Sequence, residues 1–500
     1  MFKRATVFAL NIALIGPGHA WAQATPERAA AIQQQIQDWL QSAVGTAAAP
    51  SRSPVHVTAS GDHYDLSVAW GSPESPPVTG KLTEAGNGQW AVDDVRIPSP
   101  SVIKLELPPG KPKGSPPERI TSTVTAGEQN QRLLYDPTFA APSTWTAKFA
   151  NLDVATTGPN LNQLSHIDNF VSASTMTPAG DDRVNVTTSA TLDGYHLKMS
   201  DGHAAQPTLV NIGAGSLVSN AFGLSRNRGF ELVRMVSDLA ARAQPTAGGA
   251  ASPPPKPDPE TTKALVTSLT ALLTGMSLEE KVSDLSVTSQ GLTGSLKVFS
   301  LRFASKANAG RLESQFLLSA EGLSLPDLGL GDTAKLIPTK ITIGPSFSGA
   351  STEAIVRLAQ EYAAGRDPND RDLDALFSKG PITVGLDDLQ IDVAGSSIGG
   401  HLSVEASSPN TFIGSGRLTA TNIDSLQRAL ASDPQTAQAA PFLIFLKGVS
   451  RPDQDRLVWD LSYRDGHFLV NDQDMMALLG AGAAAPPGPA PKPRRPGRQP

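Results

Sequence analysis

The stretch LVWDLSYRDGHFLVND, residues 457–472, reads as two strands around a tight turn. Leu457, Trp459, Leu461 and Tyr463 alternate with polar or small neighbours, Asp465-Gly466 offers a two-residue turn, and Phe468 and Val470 resume the pattern. Period-two alternation puts the apolar side chains on one face of a pleated strand. Asp-Gly tolerates the positive φ that a hairpin turn demands. The expected product is antiparallel sheet with one wet face.

The same pattern extends outward. Upstream, strands are marked by Ile382 to Val393, by Leu402 and Val404, and by Ile413, Leu418 and Ala420, where Asp424 is expected to cap a short helix carrying Leu426 and Leu430. Ser351 to Gly365 reads as a capped helix with Ile355, Leu358 and Tyr362 as its stripe. Ile337, Ile341, Ile343 and Phe347, then Leu312, Phe316 and Leu318, then Leu285 to Phe303, mark further strands. Thr261 to Met276 reads as a helix. Before it, residues 244–259 (QPTAGGAASPPPKPDP) have the composition of an extended linker. Arg226 to Ala243 has helical spacing, and Val55 to Met199 returns to period two, punctuated by turn signals at Gly61-Asp62, Gly86-Asn87-Gly88, Gly127, Gly180-Asp181 and Asp193-Gly194. Asp93-Asp94 interrupts an alternating run and reads as a bulge. Thr25 to Gly45 is the clearest helix, with Thr25 as cap, Pro26 in the first turn, and Ile32, Ile36, Trp39, Leu40 and Val44 along one face.

The first 22 residues have the form of a secretory signal: Lys3 and Arg4, an apolar run from Ala5 to Ile15, a Gly16-Pro17-Gly18 break and an Ala20-Trp21-Ala22 cleavage site. An uncleaved anchor is the alternative, disfavoured by an apolar run too short to span a bilayer. The expected location is the bacterial periplasm. Cysteine is absent from the 500 residues, which excludes disulfides, thiolate metal sites and thiol nucleophiles. The formal net charge of −6 becomes −8 without Lys3 and Arg4. Setting aside the four cations of the Pro-rich segment 481–500 leaves an acidic body of −12. That charge argues against a nucleic-acid partner.

Motifs that carry chemistry are few. The eight histidines form neither HxxxH nor HExxH, so no metal ligand is assigned. Residues 367–374 (DPNDRDLD) resemble a calcium loop but place Asp372 where glycine is needed and have no glutamate at the closing twelfth position, so a polar helix start is preferred. Residues 344–348 (GPSFS) approach a nucleophile elbow but end in serine, and a turn is the expected structure there. Gly213-Ala214-Gly215 lacks the third glycine of a dinucleotide loop. The acid pairs Asp93-Asp94, Asp181-Asp182 and Asp387-Asp388 could serve glycoside hydrolysis only if two carboxylates met across a cleft; bulges or turns are the simpler reading. No catalytic, cofactor-binding or metal residue is assigned, no cofactor is expected, and the ligand-binding residues stay unknown.

The order LQIDV (389–393), GGHLSV (399–404), GRLTATN (416–422), short helix and terminal hairpin resembles the bacterial periplasmic family known as domain of unknown function 2125, and in layout is distantly similar to AsmA-like envelope proteins. The resemblance covers mainly residues 280–475. It implies a long curved sheet with an apolar surface that handles lipid, and it brings no catalytic residues.

The expected fold is therefore α+β: mainly antiparallel, long twisted β-sheets in two units, with amphipathic helices packed on one face. The units are residues 23–243 and 260–480, joined by linker 244–259 and flanked by the signal 1–22 and a disordered basic tail 481–500. The expected function is a non-enzymatic envelope protein whose sheet binds lipid or another apolar ligand, with peripheral membrane contact. A structural or interaction module of the envelope is the alternative, and a polysaccharide hydrolase is the third.

Overall fold

The structure is a computed structural model that describes residues 24–44, 55–69, 76–107, 118–200 (except 138, 140, 160 and 181), 206–235 (except 230, 233 and 234), 259–325, 331–432 (except 364) and 436–475. The expected signal, most of the linker and the basic tail lie outside the described residues.

Helix α1 (Pro26–Val44) forms where its cap and stripe place it. Thr25 Oγ1 accepts the Arg28 amide at 3.3 Å, and Ile32 and Ile36 are fully buried. They pack against Val55, Tyr64, Leu82, Trp90 and Tyr135, in a core shared with the first strands. These are β1 (Val55–Ser60), β2 (His63–Val68), β3 (Val78–Gly86), β4 (Gln89–Arg96) and β5 (Ser101–Leu107). The strands then lengthen to β6 (Glu118–Asp136), β7 (Ala141–Gly158), β8 (Leu161–Pro178), β9 (Arg183–Ser200) and β10 (Thr208–Ser225). After α2 (Pro259–Leu272) come β11 (Gly275–Ser289), β12 (Leu292–Asn308), β13 (Arg311–Glu321), a 3-10 turn (Gly331–Leu336) and β14 (Lys340–Ser351). Helices α3 (Thr352–Ala363) and α4 (Asp370–Ala375) lead to β15 (Ile382–Val393), β16 (Ser396–Ser408) and β17 (Thr411–Thr421). The chain ends with α5 (Ile423–Ser432), α6 (Ala440–Gly448), β18 (Arg451–Asp453), β19 (Arg456–Arg464), β20 (His467–Val470) and β21 (Gln473–Asp474).

All strands belong to one antiparallel sheet. From β6 to β16 each strand pairs with its predecessor and its successor, and β17 pairs with β16 and β19. Tight turns enforce this meander. Gln290-Gly291, Ala309-Gly310, Ala394-Gly395 and Asp465-Gly466 all hold positive φ at both positions, the conformation whose twist matches adjacent strands. The sheet runs through the junction expected to separate two units: β10 and β11 pair from Leu209↔Thr288 to Phe222↔Gly275.

The helices occupy the two rims of the sheet as well as its ends. An even number of strands separates the end of β10 from the end of β14, so α2 and α3 leave by the same rim, and Gln360 Nε2 donates to Thr267 Oγ1 at 2.8 Å. On the opposite rim α5, α6 and the sheet share a second core, with Ile423, Leu426, Ala420, Trp459 and Val470 buried. Ser396 Oγ accepts the Leu426 amide at 3.1 Å and donates to the Asn422 carbonyl at 2.6 Å, fixing α5 to the β15–β16 turn.

Several local expectations need correction. Gly127 and Asp193-Gly194 are not chain reversals; they lie inside β6 and β9. Residues 344–348 lie inside β14 rather than in a turn; β15 bulges opposite Gly344 and Pro345, which accommodates a proline that has no amide to donate. The second-half helix ends at Leu272, and Met276 pairs with Ala221 in the sheet. Ile337 precedes its strand. Asp424 lies within the first turn of α5, not before it, and pairs with Lys447. By contrast, Asp94 does sit in a bulge, with φ of 51°. Asn369 caps α4 in a capping box with Asp372, as the helix-start reading requires.

Replacing Ile36 with alanine should destabilise the chain by about 2–5 kcal/mol through the cavity it leaves. Gly194→Val should cost about 1–3 kcal/mol, because Gly194 has φ of 60° and an added Cβ would collide with the Asp168 carboxylate. Urea unfolding midpoints check both; a midpoint unchanged by either substitution contradicts the packing described.

Candidate functional site

In an antiparallel sheet directly opposed residues share a face. The register therefore gives the composition of each face. One line of opposed residues runs Phe149, Phe170, Leu192, Gly215, Val282, Phe299, Ala320, Ile341, Ile391, Ile398, Ala420 and Leu457, from β7 to β19. Every member is apolar or glycine. The line beside it, on the other face, runs Lys148, Val171, Thr191, Ser216, Lys281, Ser300, Ser319, Thr342, Gln390, Gly399, Thr419 and Val458. That face is hydroxyl-rich and charged, and carries ion pairs such as Arg302–Glu279 at 3.0 Å and Arg417–Asp460 at 2.6 Å. Eleven inter-strand steps at about 4.8 Å make the apolar line on the order of 50 Å long.

Among the described residues, this apolar face has no second layer over its middle. Among the described residues from β8 to β13, the only buried hydrophobic residue is Val184. Phe170, Leu192, Val282 and Phe299 are half-buried, shielded by neighbours in their own sheet. Met199, Met276, Val287, Leu292, Val384 and Val404 are exposed. Phe149 and Phe170 lie 6.3 Å apart between ring centroids, within the range of a favourable aromatic pair.

The face persists because of a transverse crease. On β7, β9 and β11, Asn151, Gly194 and Asp284 have φ of 51°, 60° and 55°. They stand opposite Gly127, Asp168 and Gly213 on β6, β8 and β10, and each pairing ladder skips that level without losing register. Two successive residues there turn away from the apolar side. The apolar set consequently changes parity in each strand: Leu152 to Phe149, Ile167 to Phe170, Tyr195 to Leu192, Leu285 to Val282. Glycine, asparagine and aspartate are the residues that tolerate left-handed backbone. Of these positions, Gly127 and Asp193-Gly194 were expected to be turns; the missed clue was the switch from Val184 and Val186 to Tyr195, Leu197 and Met199.

The residues singled out in the sequence do not converge on a catalytic centre. Ser346 Oγ donates to Asp387 Oδ1 at 3.0 Å, on the polar face. His401 lies on β16 opposite the Asp387–Asp388 bulge, and His467 lies on β20, bound to Asp474 at 2.7 Å. Asp93 pairs with Arg132 and Asp94 with Lys81. Among the described residues no three His, Asp or Glu side chains form a metal-binding group, and no helix is long and apolar enough to cross a membrane.

The polar face does hold one charged cluster. His166 lies 2.8 Å from Asp153 through Nδ1 and 3.0 Å from Asp168 through Nε2, and its ring stacks on that of His196. The hydrogen bond that His166 donates to Asp153, aided by the one to Asp168, raises the His166 pKa above the usual imidazole value.

The chain matches no family model, no curated protein and no solved structure. The resemblance carried by residues 389–472 thus draws no support from known proteins.

Because its folded pKa is raised, His166 stabilises the fold fully below the unfolded value of about 6.5, and the contribution is lost as pH rises through the folded value. NMR titration should place its midpoint above that of a free imidazole, and Asp153→Asn should lower it. A midpoint at or below about 6.5 contradicts the cluster.

Proposed function

We propose that this chain is a non-enzymatic protein of the bacterial cell envelope, delivered to the periplasm by its signal-like N-terminus, that binds an acyl chain or another apolar ligand along the apolar sheet face. The observation that carries this reading is the unroofed middle of that face, where six strands bury one hydrophobic residue, Val184. Exposed apolar surface on this scale marks a binding site. Each methylene moved onto it from water contributes about 0.8 kcal/mol. In this reading the helices are end covers for a ligand face: α1 packs over Leu133 and Tyr135 at one end, and α5 and α6 over Leu418 and Trp459 at the other.

An interaction module working through sheet edges fits less well. The edge strands are short, with six residues in β1, three in β18 and two in β21, which blunts edge-to-edge pairing. A hydrolase fits least, because the acid pairs at 93–94 and 387–388 occupy bulges rather than the walls of one cleft.

Native mass spectrometry of the gently extracted chain should show co-purified lipid. Leu192→Glu and Phe299→Glu on the apolar face should weaken binding of a fluorescent fatty acid at least tenfold, about 1.4 kcal/mol. Val218→Glu on the polar face should leave it unchanged. A lipid-free chain, or equal losses from both faces, refutes the reading.

A further inference from the structure

The apolar face of the sheet carries one charge. Two positions along each strand from the line through Leu192, Val282 and Phe299, the next row on that face runs Ala190, Leu217, Glu280, Leu301, Leu318 and Ile343, from β9 to β14. Among the described residues of β7 to β17, Glu280 is the only Asp, Glu, Lys or Arg that the register places on this side.

Its neighbours in β11 make the contrast plain. Glu279 and Lys281 are exposed on the polar face, where Glu279 pairs with Arg302 at 3.0 Å. Glu280 between them is half-buried, with Leu217 and Leu301 opposite it and Leu278 and Val282 two residues away on its own strand. Its carboxylate makes no hydrogen bond or ion pair among the described residues. A carboxylate set among hydrocarbon is costly unless something pairs with it. The rest of its row shows what a face meant only for hydrocarbon would hold there: leucine or isoleucine.

Hydroxyls gather on one side of Glu280. The following row on the same face runs Ser174, Thr188, Ser219, Leu278 and Phe303, from β8 to β12. Thr188 Oγ1 donates to Ser174 Oγ at 3.1 Å. Ser219 is the diagonal neighbour of Glu280 across the β10–β11 pair, close enough for both to meet one ligand group. On the other side of Glu280 its row continues through Leu301, Leu318, Ile343 and Leu389 without a polar side chain. The five inter-strand steps from β11 to β16 span about 24 Å. That accommodates an extended acyl chain, since the hydrocarbon core of a whole bilayer is about 30 Å thick.

The face is therefore polarised, with carboxylate and hydroxyls over β8 to β11 and hydrocarbon alone over β12 to β16. A fatty acid lying there would set its own carboxylate against Glu280, and a neutral head would leave the charge unpaired. An ammonium head answers both needs, because it is positive and has three hydrogens to donate. We propose that the sheet selects amphiphiles with an ammonium head, Glu280 pairing the ammonium, Ser219 accepting a second hydrogen, and the acyl chain lying across β12 to β16. The proposal rests on the apolar-ligand reading and names the class of ligand that this face prefers.

Titration calorimetry of the full chain with decylamine, decanol and decanoate, each below its micelle concentration at neutral pH, tests it with one tail and three heads. Decylamine should bind at least tenfold more tightly than decanol, and decanoate should bind most weakly. The preference for the amine should shrink in high salt. E280Q should bring decylamine to the level of decanol and strengthen decanoate, and E280K should invert the order. E279Q, one residue away on the polar face, should leave the order unchanged. Equal affinity for the three heads in the unsubstituted chain would overturn the proposal. So would an order that survives E280Q, or one that E279Q shifts as much as E280Q, which would make it a property of the acidic body and not of this site. An E280Q chain that keeps the order but self-associates assigns Glu280 to holding sheets apart and overturns it too. The ligand reading is scored separately. If decanol binds, Phe299→Glu abolishes that binding and the heads are not distinguished, the apolar face stands and its selectivity falls; if none of the three binds, both fall.

Discussion

Register is the constraint on which this molecule depends. Every strand from β6 to β17 is hydrogen-bonded on both edges, so none can slip by one residue without turning its side chains to the wrong face. The two faces differ sharply: a line of phenylalanine, leucine, valine and isoleucine on one side, and serine, threonine and charge on the other. A slip in any strand would bury charge among hydrocarbon and expose hydrocarbon beside ion pairs. The sheet is thus specified by alternation over its whole width, with little help from a packed interior. Among the described residues its two closed cores lie at the ends, where α1, and later α5 and α6, supply a second layer.

The crease shows how that specification tolerates irregularity. A left-handed residue in one strand would normally shift its pairing. Here Asn151, Gly194 and Asp284 recur at one level in alternate strands, and their partners skip the same level. The disturbance is shared and cancels in register. What it changes is parity, which lets strands of up to 19 residues keep one apolar side throughout.

Part of this was legible in the residues. The terminal hairpin, the antiparallel class, the Asp93-Asp94 bulge and the first helix followed from alternation, turn chemistry and capping. The strand β10 was not legible, because Gly213, Ala214, Gly215, Ser216 and Ser219 give it few large side chains; its neighbours on both edges make it a strand. Gly127 and Asp193-Gly194 misled because the residues that permit a reversal also permit a crease. The termination of α2 at Leu272 was obscured because Met276 continues the helical spacing while its backbone is claimed by β11. No local pattern could tell that the greasy side would lie unroofed, since that depends on where helices end up after the whole meander has formed.

The parity of strand number between helices has a further consequence. Four strands separate α2 from α3, which brings both helices to one rim and lets them touch through Gln360 and Thr267. Inserting or losing a single strand between them would send every later connection to the opposite rim and part these helices. Between α2 and α3 the sheet can therefore grow or shrink only by whole hairpins if the two helices are to stay in contact.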